Sequence, residues 1–172
     1  KITYLSYLHS AYLLSAILDT MIVILFIALI KELSGTRKIQ IIGALVILFL
    51  PLLNHYRDQV LRGHGYYAFA LLSILLLIHY SRSYKWRYAT GWALAAMVAT
   101  LFRIEGAILV CFLPLILLFK PKLKFGFRIR HFIQAYTVQI IIFVLMLFFS
   151  IFISKHLVQH GSPYLGRALE LK

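Results

Sequence analysis

Long apolar stretches separated by short charged loops constrain this chain more than any other feature. Six can be marked: Ala11–Ile30, Ile39–Leu53, Tyr66–Tyr80, Tyr88–Phe102, Ala107–Phe119 and Phe132–Ile153. None alternates strictly between apolar and polar residues, so they are typical of helices and not of strands. Hydrophobic residues make up 62% of the 172 positions, which is the composition of a membrane protein. We therefore predict an all-α fold, a polytopic transmembrane helical bundle with about six membrane segments.

Several of these segments are short for a membrane span. A bilayer core of about 30 Å needs roughly 20 helical residues, and only the first and last stretches cross it comfortably. A short segment can still span the membrane if flanking side chains reach the interface, or it can end against protein inside the membrane. The second arrangement favours an internal site. We predict a single transmembrane domain over residues 1–172. Because the chain starts at Lys1 without a methionine, we expect an internal fragment of a longer integral membrane protein.

Basic residues are unevenly distributed between the loops. The chain has 18 Lys and Arg against 5 Asp and Glu, and alternate loops collect 11 of the 18. These are Lys31, Arg37, Lys38, Arg82, Lys85, Arg87, Lys120, Lys122, Lys124, Arg128 and Arg130. The positive-inside rule places those loops in the cytoplasm. Orientation accounts for the charge without nucleic acid, so no nucleic-acid partner is predicted; a surface for anionic lipid is the second interpretation.

Two acidic residues interrupt apolar segments. Asp19 lies near the middle of the first stretch and shares a helical stripe with Tyr12 and Ser15, which predicts a polar seam that faces protein. It is either a site acid or a hydrogen-bonded packing residue. Arg103 and Glu105 interrupt a second apolar run, and we predict that two short helices meet there. Residues at i and i+2 do not face each other on a regular helix, so Glu105 is expected to be a poor partner for Arg103.

The predicted outer loop over residues 54–67 gathers charged, amide and aromatic side chains. Its charged groups suit an anionic head group or sugar hydroxyls, and tyrosine rings suit the apolar faces of saccharides. The residues concerned are Arg57, Asp58, Arg62, His64 and Tyr66. The alternative is an interfacial loop with an aromatic belt. No metal site is predicted, because His156 and His160 lack the glutamate of a zinc-protease motif between them.

Five short motifs follow one another between residues 12 and 119. They are Lys31-Glu32-Leu33-Ser34-Gly35, Leu50-Pro51-Leu52-Leu53-Asn54-His55-Tyr56-Arg57, Arg62-Gly63-His64-Gly65-Tyr66, Lys85-Trp86-Arg87-Tyr88-Ala89 and Ala99-Thr100-Leu101-Phe102-Arg103-Ile104-Glu105-Gly106. Taken in series, they resemble the GT-C type of membrane glycosyltransferases. This polyprenol-phosphate-sugar dependent class includes protein mannosyltransferases and lipid A aminoarabinose transferases.

The resemblance implies transfer of a sugar from a polyprenyl-phosphate carrier to an acceptor on the non-cytoplasmic face, in a bacterial inner membrane. The partners would be the lipid bilayer and the lipid-linked sugar donor, and a divalent cation is one candidate cofactor. The usual catalytic acid of the family lies in an outer loop that would precede Lys1. Gly63 stands where relatives commonly carry Asp.

We therefore interpret the chain as part of a sugar transferase. A phosphate leaving group needs cations and an acceptor hydroxyl needs a nearby base. Arg57, Arg62 and Arg103, with His64 and Tyr66, are the predicted substrate-binding residues, and Asp58 and Glu105 are the predicted catalytic carboxylates. The alternative is a transporter or a non-catalytic structural membrane subunit in which Asp19 is a coupling acid and Arg103 and Glu105 form an internal ion pair.

Overall fold

The computed structural model describes residues 7–49, 62–119 and 125–159. Its elements in chain order are α1 (Tyr7–Glu32), α2 (Arg37–Phe49), α3 (Arg62–Ser83), α4 (Trp86–Phe102), α5 (Gly106–Phe112), a 3-10 helix (Leu113–Phe119) and α6 (Phe125–Gln159). These ranges contain no strand, so the predicted all-α fold is confirmed.

Three helices are long and apolar enough to cross a membrane: His9–Glu32, Gly63–Ser83 and Phe125–Phe149. They are compatible with an integral membrane protein. The Gly106–Phe119 segment is apolar but shorter. The number of about six membrane segments stays a prediction.

Two predicted segments differ in length from the helices observed. The stretch that was expected to run from Tyr66 to Tyr80 is the 22-residue helix α3, because polar residues at both of its ends continue the helix. The last helix, α6, has 35 residues and begins seven positions before the predicted start at Phe132. An apolar run therefore marks where a helix meets an apolar environment, and not where its backbone hydrogen bonds begin and end.

The chain divides into two compact units, Lys1–Gln139 and Ile140–Lys172, with the boundary inside α6. In the second unit, the apolar side chains described along α6 are mostly exposed, as expected of a helix surface in contact with lipid. The first unit contains the other helices and the start of α6. The single transmembrane domain stays a prediction.

Helices α3 and α4 form an antiparallel pair in the first unit. Their close approach depends on small residues, and the fully buried positions of α4 include Ala89, Ala93, Ala96 and Ala99. Small side chains let two backbones approach within a membrane, where packing replaces the hydrophobic effect as the main attraction between helices. On its other side, α3 packs against α1, and Leu18 and Ile22 are buried with Ala68 between the two helices.

Helix α1 ends in a Schellman motif. The backbone N–H of Gly35 donates to Ile30 O at 2.9 Å, and that of Ser34 donates to Lys31 O at 3.1 Å. Ser34 has a φ of 65°, the left-handed conformation that this motif requires at its penultimate position. The chain thereby reverses direction and enters α2, whose Gly43 lies directly against Ile30.

Contacts place three basic segments at the same end of the first unit. Arg82, at the end of α3, donates from Nη1 to Glu32 Oε1 at 2.5 Å and from Nη2 to Glu32 O at 2.6 Å. Tyr84 stacks on His131 of α6 with ring centroids 4.1 Å apart. We call this the basic end; it comprises residues 31–38, 82–88 and 125–131. The structure thus brings together the described parts of the loops that were predicted to share one side, and their cytoplasmic location stays a prediction.

Candidate functional site

The first turns of α3 lie at the end of that helix away from the basic end and contact the middle of α1. His64 Nδ1 is hydrogen-bonded to Asp19 Oδ1. His64 is almost completely buried, with 1% of its side chain exposed, whereas 39% of Asp19 is exposed. Asp19 therefore does face protein, as predicted, and Ser15 on the same stripe is buried. Tyr12 is exposed, so the prediction that it belongs to the buried polar seam was wrong.

His64 and Tyr66 belong to a helix and not to a loop. The outer loop predicted over residues 54–67 ends at the latest where α3 begins, at Arg62. Arg57 and Asp58 lie outside the described residues, as does the side chain of Arg62.

A break between two helices holds the second charged pair. Helix α4 ends at Phe102, and Arg103 is extended, with φ −148° and ψ 137°; α5 then begins at Gly106. The N–H of Arg103 donates to Ala99 O at 3.0 Å, and the N–H of Gly106 donates to Arg103 O at 2.9 Å. The prediction that two short helices meet here is confirmed.

Arg103 and Glu105 form an ion pair across this break. Arg103 Nη2 lies 2.8 Å from Glu105 Oε1. The expectation that Glu105 would be a poor partner was wrong, because it assumed helical geometry whereas Arg103 is extended. A hydrogen bond from the backbone of Glu105, assisted by the Arg103 guanidinium and opposed by partial desolvation, holds the pKa of the Glu105 carboxyl below its usual range. Both side chains remain part exposed, Arg103 by 35% and Glu105 by 47%.

Aromatic contacts fix this break against α3. The guanidinium carbon of Arg103 lies 5.9 Å from the centroid of the Tyr66 ring, within the range of a cation–π interaction. The ring of Phe102 stacks on Phe69 with centroids 5.9 Å apart. Phe102 also lies directly over Gly65, where a Cβ atom would come within 2.6 Å of the ring's Cζ. Glycine at position 65 is therefore what allows the break to approach α3.

The two charged pairs lie on different faces of α3. His64 and Tyr66 are two residues apart, which is about 200° around a helix. His64 contacts α1 and Tyr66 contacts Arg103. Arg62 is one turn before Tyr66, so its backbone position belongs to the Arg103 side. The structure therefore separates the predicted residues into an Asp19–His64 pair, of which His64 is buried, and an Arg103–Glu105–Tyr66 group whose charged side chains are part exposed.

Sequence reasoning missed the role of Glu32. It was given no special role, yet it accepts from Arg82 and lies 3.5 Å from His79 Nδ1. Arg82 also caps α1 by donating to the backbone carbonyl of Glu32. No local signal could have shown this, because the two residues are 50 positions apart.

In residues 7–49, 62–119 and 125–159, no three His, Cys, Asp or Glu side chains cluster closely enough to hold a metal ion.

No protein-family model matches the chain, and no curated protein or solved structure is significantly similar to it.

Proposed function

We propose that this chain is part of a membrane glycosyltransferase that transfers a sugar from a polyprenyl-phosphate carrier to an acceptor on the non-cytoplasmic face. The observation that carries the proposal is the part-exposed Arg103–Glu105–Tyr66 group, which lies at the ends of α3 and α4 that are away from the basic end. If the basic end is cytoplasmic, this group faces the other side of the membrane, where the lipid-linked donor would be used.

The chemistry of this group suits a phosphate and a sugar. In the transfer, an acceptor hydroxyl attacks the anomeric carbon, the bond from that carbon to the phosphate oxygen breaks, and the carrier phosphate leaves with the electron pair. A guanidinium can bind the phosphate with two parallel hydrogen bonds, and its charge stabilises the leaving group. Tyr66 offers a ring face to a sugar. Arg62, one turn away on α3, would add a second cation.

Glu105 is better suited to hold Arg103 in place than to accept the acceptor proton. Its lowered pKa makes it a weak base, and one of its oxygens already accepts from Arg103. Asp58 is therefore the candidate base among the predicted carboxylates. His64 is buried against Asp19, so its proposed role is to position the first turn of α3 and not to contact the substrate.

A transporter is the second candidate function, and the Asp19–His64 pair favours it. Acidic and histidine side chains within apolar helices often mark a proton or ion pathway. In that case the Arg103–Glu105 pair would be an internal contact that fixes packing.

The test is sugar transfer by the whole protein in its native membrane, with a radiolabelled polyprenyl-phosphate sugar as donor. We expect Arg103→Ala to lower transfer about 100-fold, the loss typical when one donor to a developing negative charge is removed. Arg103→Lys keeps the charge but loses the bidentate hydrogen bonds, so its rate of transfer should lie between those of the unaltered protein and Arg103→Ala. Arg87→Ala, at the basic end, is the matched control and should transfer normally.

Membrane insertion of each variant is measured in parallel. Normal transfer by both Arg103 variants would remove the support for phosphate binding. Proton-coupled uptake that is abolished by Asp19→Asn, with no sugar transfer by the unaltered protein, would establish the transporter instead.

A further inference from the structure

The basic end carries a group of exposed cations that come from three separate parts of the chain. They are Lys31, Arg37, Lys38, Lys85, Arg87 and Arg130. The contacts of Glu32 with Arg82 and of Tyr84 with His131 bring these parts together. Among the described residues, no salt bridge engages any of the six.

The acidic residue at this end does not neutralise them. Glu32 is the one carboxylate that the described residues place there, and Arg82 and His79 occupy it. The chain has five acidic residues in all, of which Asp19 and Glu105 lie at or toward the opposite end. The basic end therefore has a strong net positive charge.

In a membrane crossed by the three apolar helices, these cations would lie at the level of the lipid headgroups. Two of the three apolar helices end there, at Glu32 and at Ser83, and the third begins there, at Phe125. Trp86 is half exposed beside Lys85 and Arg87, and tryptophan is enriched at the boundary between the apolar core and the headgroups.

We propose that the basic end is a binding surface for anionic phospholipid headgroups, with Lys85 and Arg87 on one side and Arg37 and Lys38 on the other. Phosphates of an anionic lipid would meet exposed cations with which no described carboxylate pairs. Each Lys or Arg near such a surface contributes about fivefold to binding. This inference does not depend on the proposed function, because it concerns the opposite end of the molecule.

The test uses the whole protein purified in a non-ionic detergent, and titrates it with phosphatidylglycerol or with phosphatidylcholine of the same acyl chains. Bound lipid is counted by native mass spectrometry. We expect clear preference for phosphatidylglycerol, reduced when the salt concentration is raised to 1 M. Lys85→Gln/Arg87→Gln should weaken phosphatidylglycerol binding roughly 25-fold, and Arg37→Gln/Lys38→Gln should do the same. Phosphatidylcholine binding should not change.

Lys155→Gln is the control, because it removes one positive charge from outside the basic end and from outside the proposed phosphate site. It should leave lipid preference unchanged. Equal binding of the two lipids by the unaltered protein would overturn the proposal. Full phosphatidylglycerol affinity in both double variants would overturn it too. An equal loss in Lys155→Gln would also overturn it, because the effect would then depend only on overall charge. Melting temperature in lipid-free detergent verifies that each variant is folded.

Discussion

His64 in the first turn of α3 is bound to Asp19 in the middle of α1, although 45 positions separate them in the chain. Together with the Arg82–Glu32 contact at the other end, this pair shows that α1 and α3 run parallel. Helix α2, which begins at the basic end, starts the return path between them. The two contacts thus set the alignment of the helices on which the candidate site depends.

Removing either member of the Asp19–His64 pair should destabilise the protein. We expect Asp19→Ala to lower the free energy of unfolding by about 2 kcal/mol, because it leaves the buried His64 imidazole without its partner. His64→Ala should lower it by about 3 kcal/mol, because it empties a buried side-chain site. The double variant should lose about 1–2 kcal/mol less than the sum of the single losses, since the two residues interact directly. Reversible unfolding in mixed detergent micelles measures this. Tyr12→Phe, on the exposed side of α1, is the control and should be neutral; strictly additive losses would contradict the pairing.

Ser34→Gly should stabilise the turn between α1 and α2. Ser34 has a left-handed φ of 65°, which is unfavourable for a residue with a Cβ atom and freely available to glycine. We expect the free energy of unfolding to rise by about 0.5–1 kcal/mol after allowance for the greater freedom of glycine in the unfolded chain. Thermal unfolding in detergent is the measurement.

Tyr84→Gly provides the contrast, because Tyr84 also has a positive φ, of 52°. Its ring stacks on His131 and meets Phe127 edge-on, so the loss of these contacts should outweigh the relief of backbone strain. Stabilisation by Tyr84→Gly would show that the aromatic contacts do not hold α6 against α3.

Adding a methyl group at Gly106 should disrupt the break that carries Arg103. A Cβ atom there would lie 2.5 Å from Thr100 N and 2.7 Å from Ala99 C, and backbone atoms cannot move aside as a side chain can. We expect Gly106→Ala to cost about 2–3 kcal/mol, in the upper part of the range for overpacking. Gly65→Ala, which meets the ring of Phe102, should cost less if that ring can rotate.

Gly126→Ala is the matched control for these substitutions. No atom lies within 4 Å of its added Cβ, and the position is in the first turn of α6, so the change should be neutral or slightly stabilising. Unfolding curves of the three variants should therefore rank Gly126→Ala as the most stable and Gly106→Ala as the least. A tolerated Gly106→Ala would mean that the two helices do not meet as described.

Much of the fold follows from local sequence. Apolar runs predict helices because a backbone in an apolar environment must satisfy its own hydrogen bonds. The break at Arg103 to Gly106 was also predictable, because two charges and a glycine interrupt an otherwise apolar run. The uneven distribution of basic residues likewise predicted which loops share an end, since that pattern is repeated at every second loop.

The sequence by itself determined the helices, the break in the chain at Arg103 and the grouping of the basic segments. Only the tertiary structure decided that Asp19 pairs with His64, that Arg82 holds Glu32 and that Tyr66 lies beneath Arg103. These contacts depend on how far each helix is rotated and shifted against its neighbours, and packing between residues 37 to 50 positions apart sets both. Arg103 pairs with Glu105 because the backbone of Arg103 is extended. The rule that residues two positions apart do not face each other holds only for a regular helix, so it does not apply there.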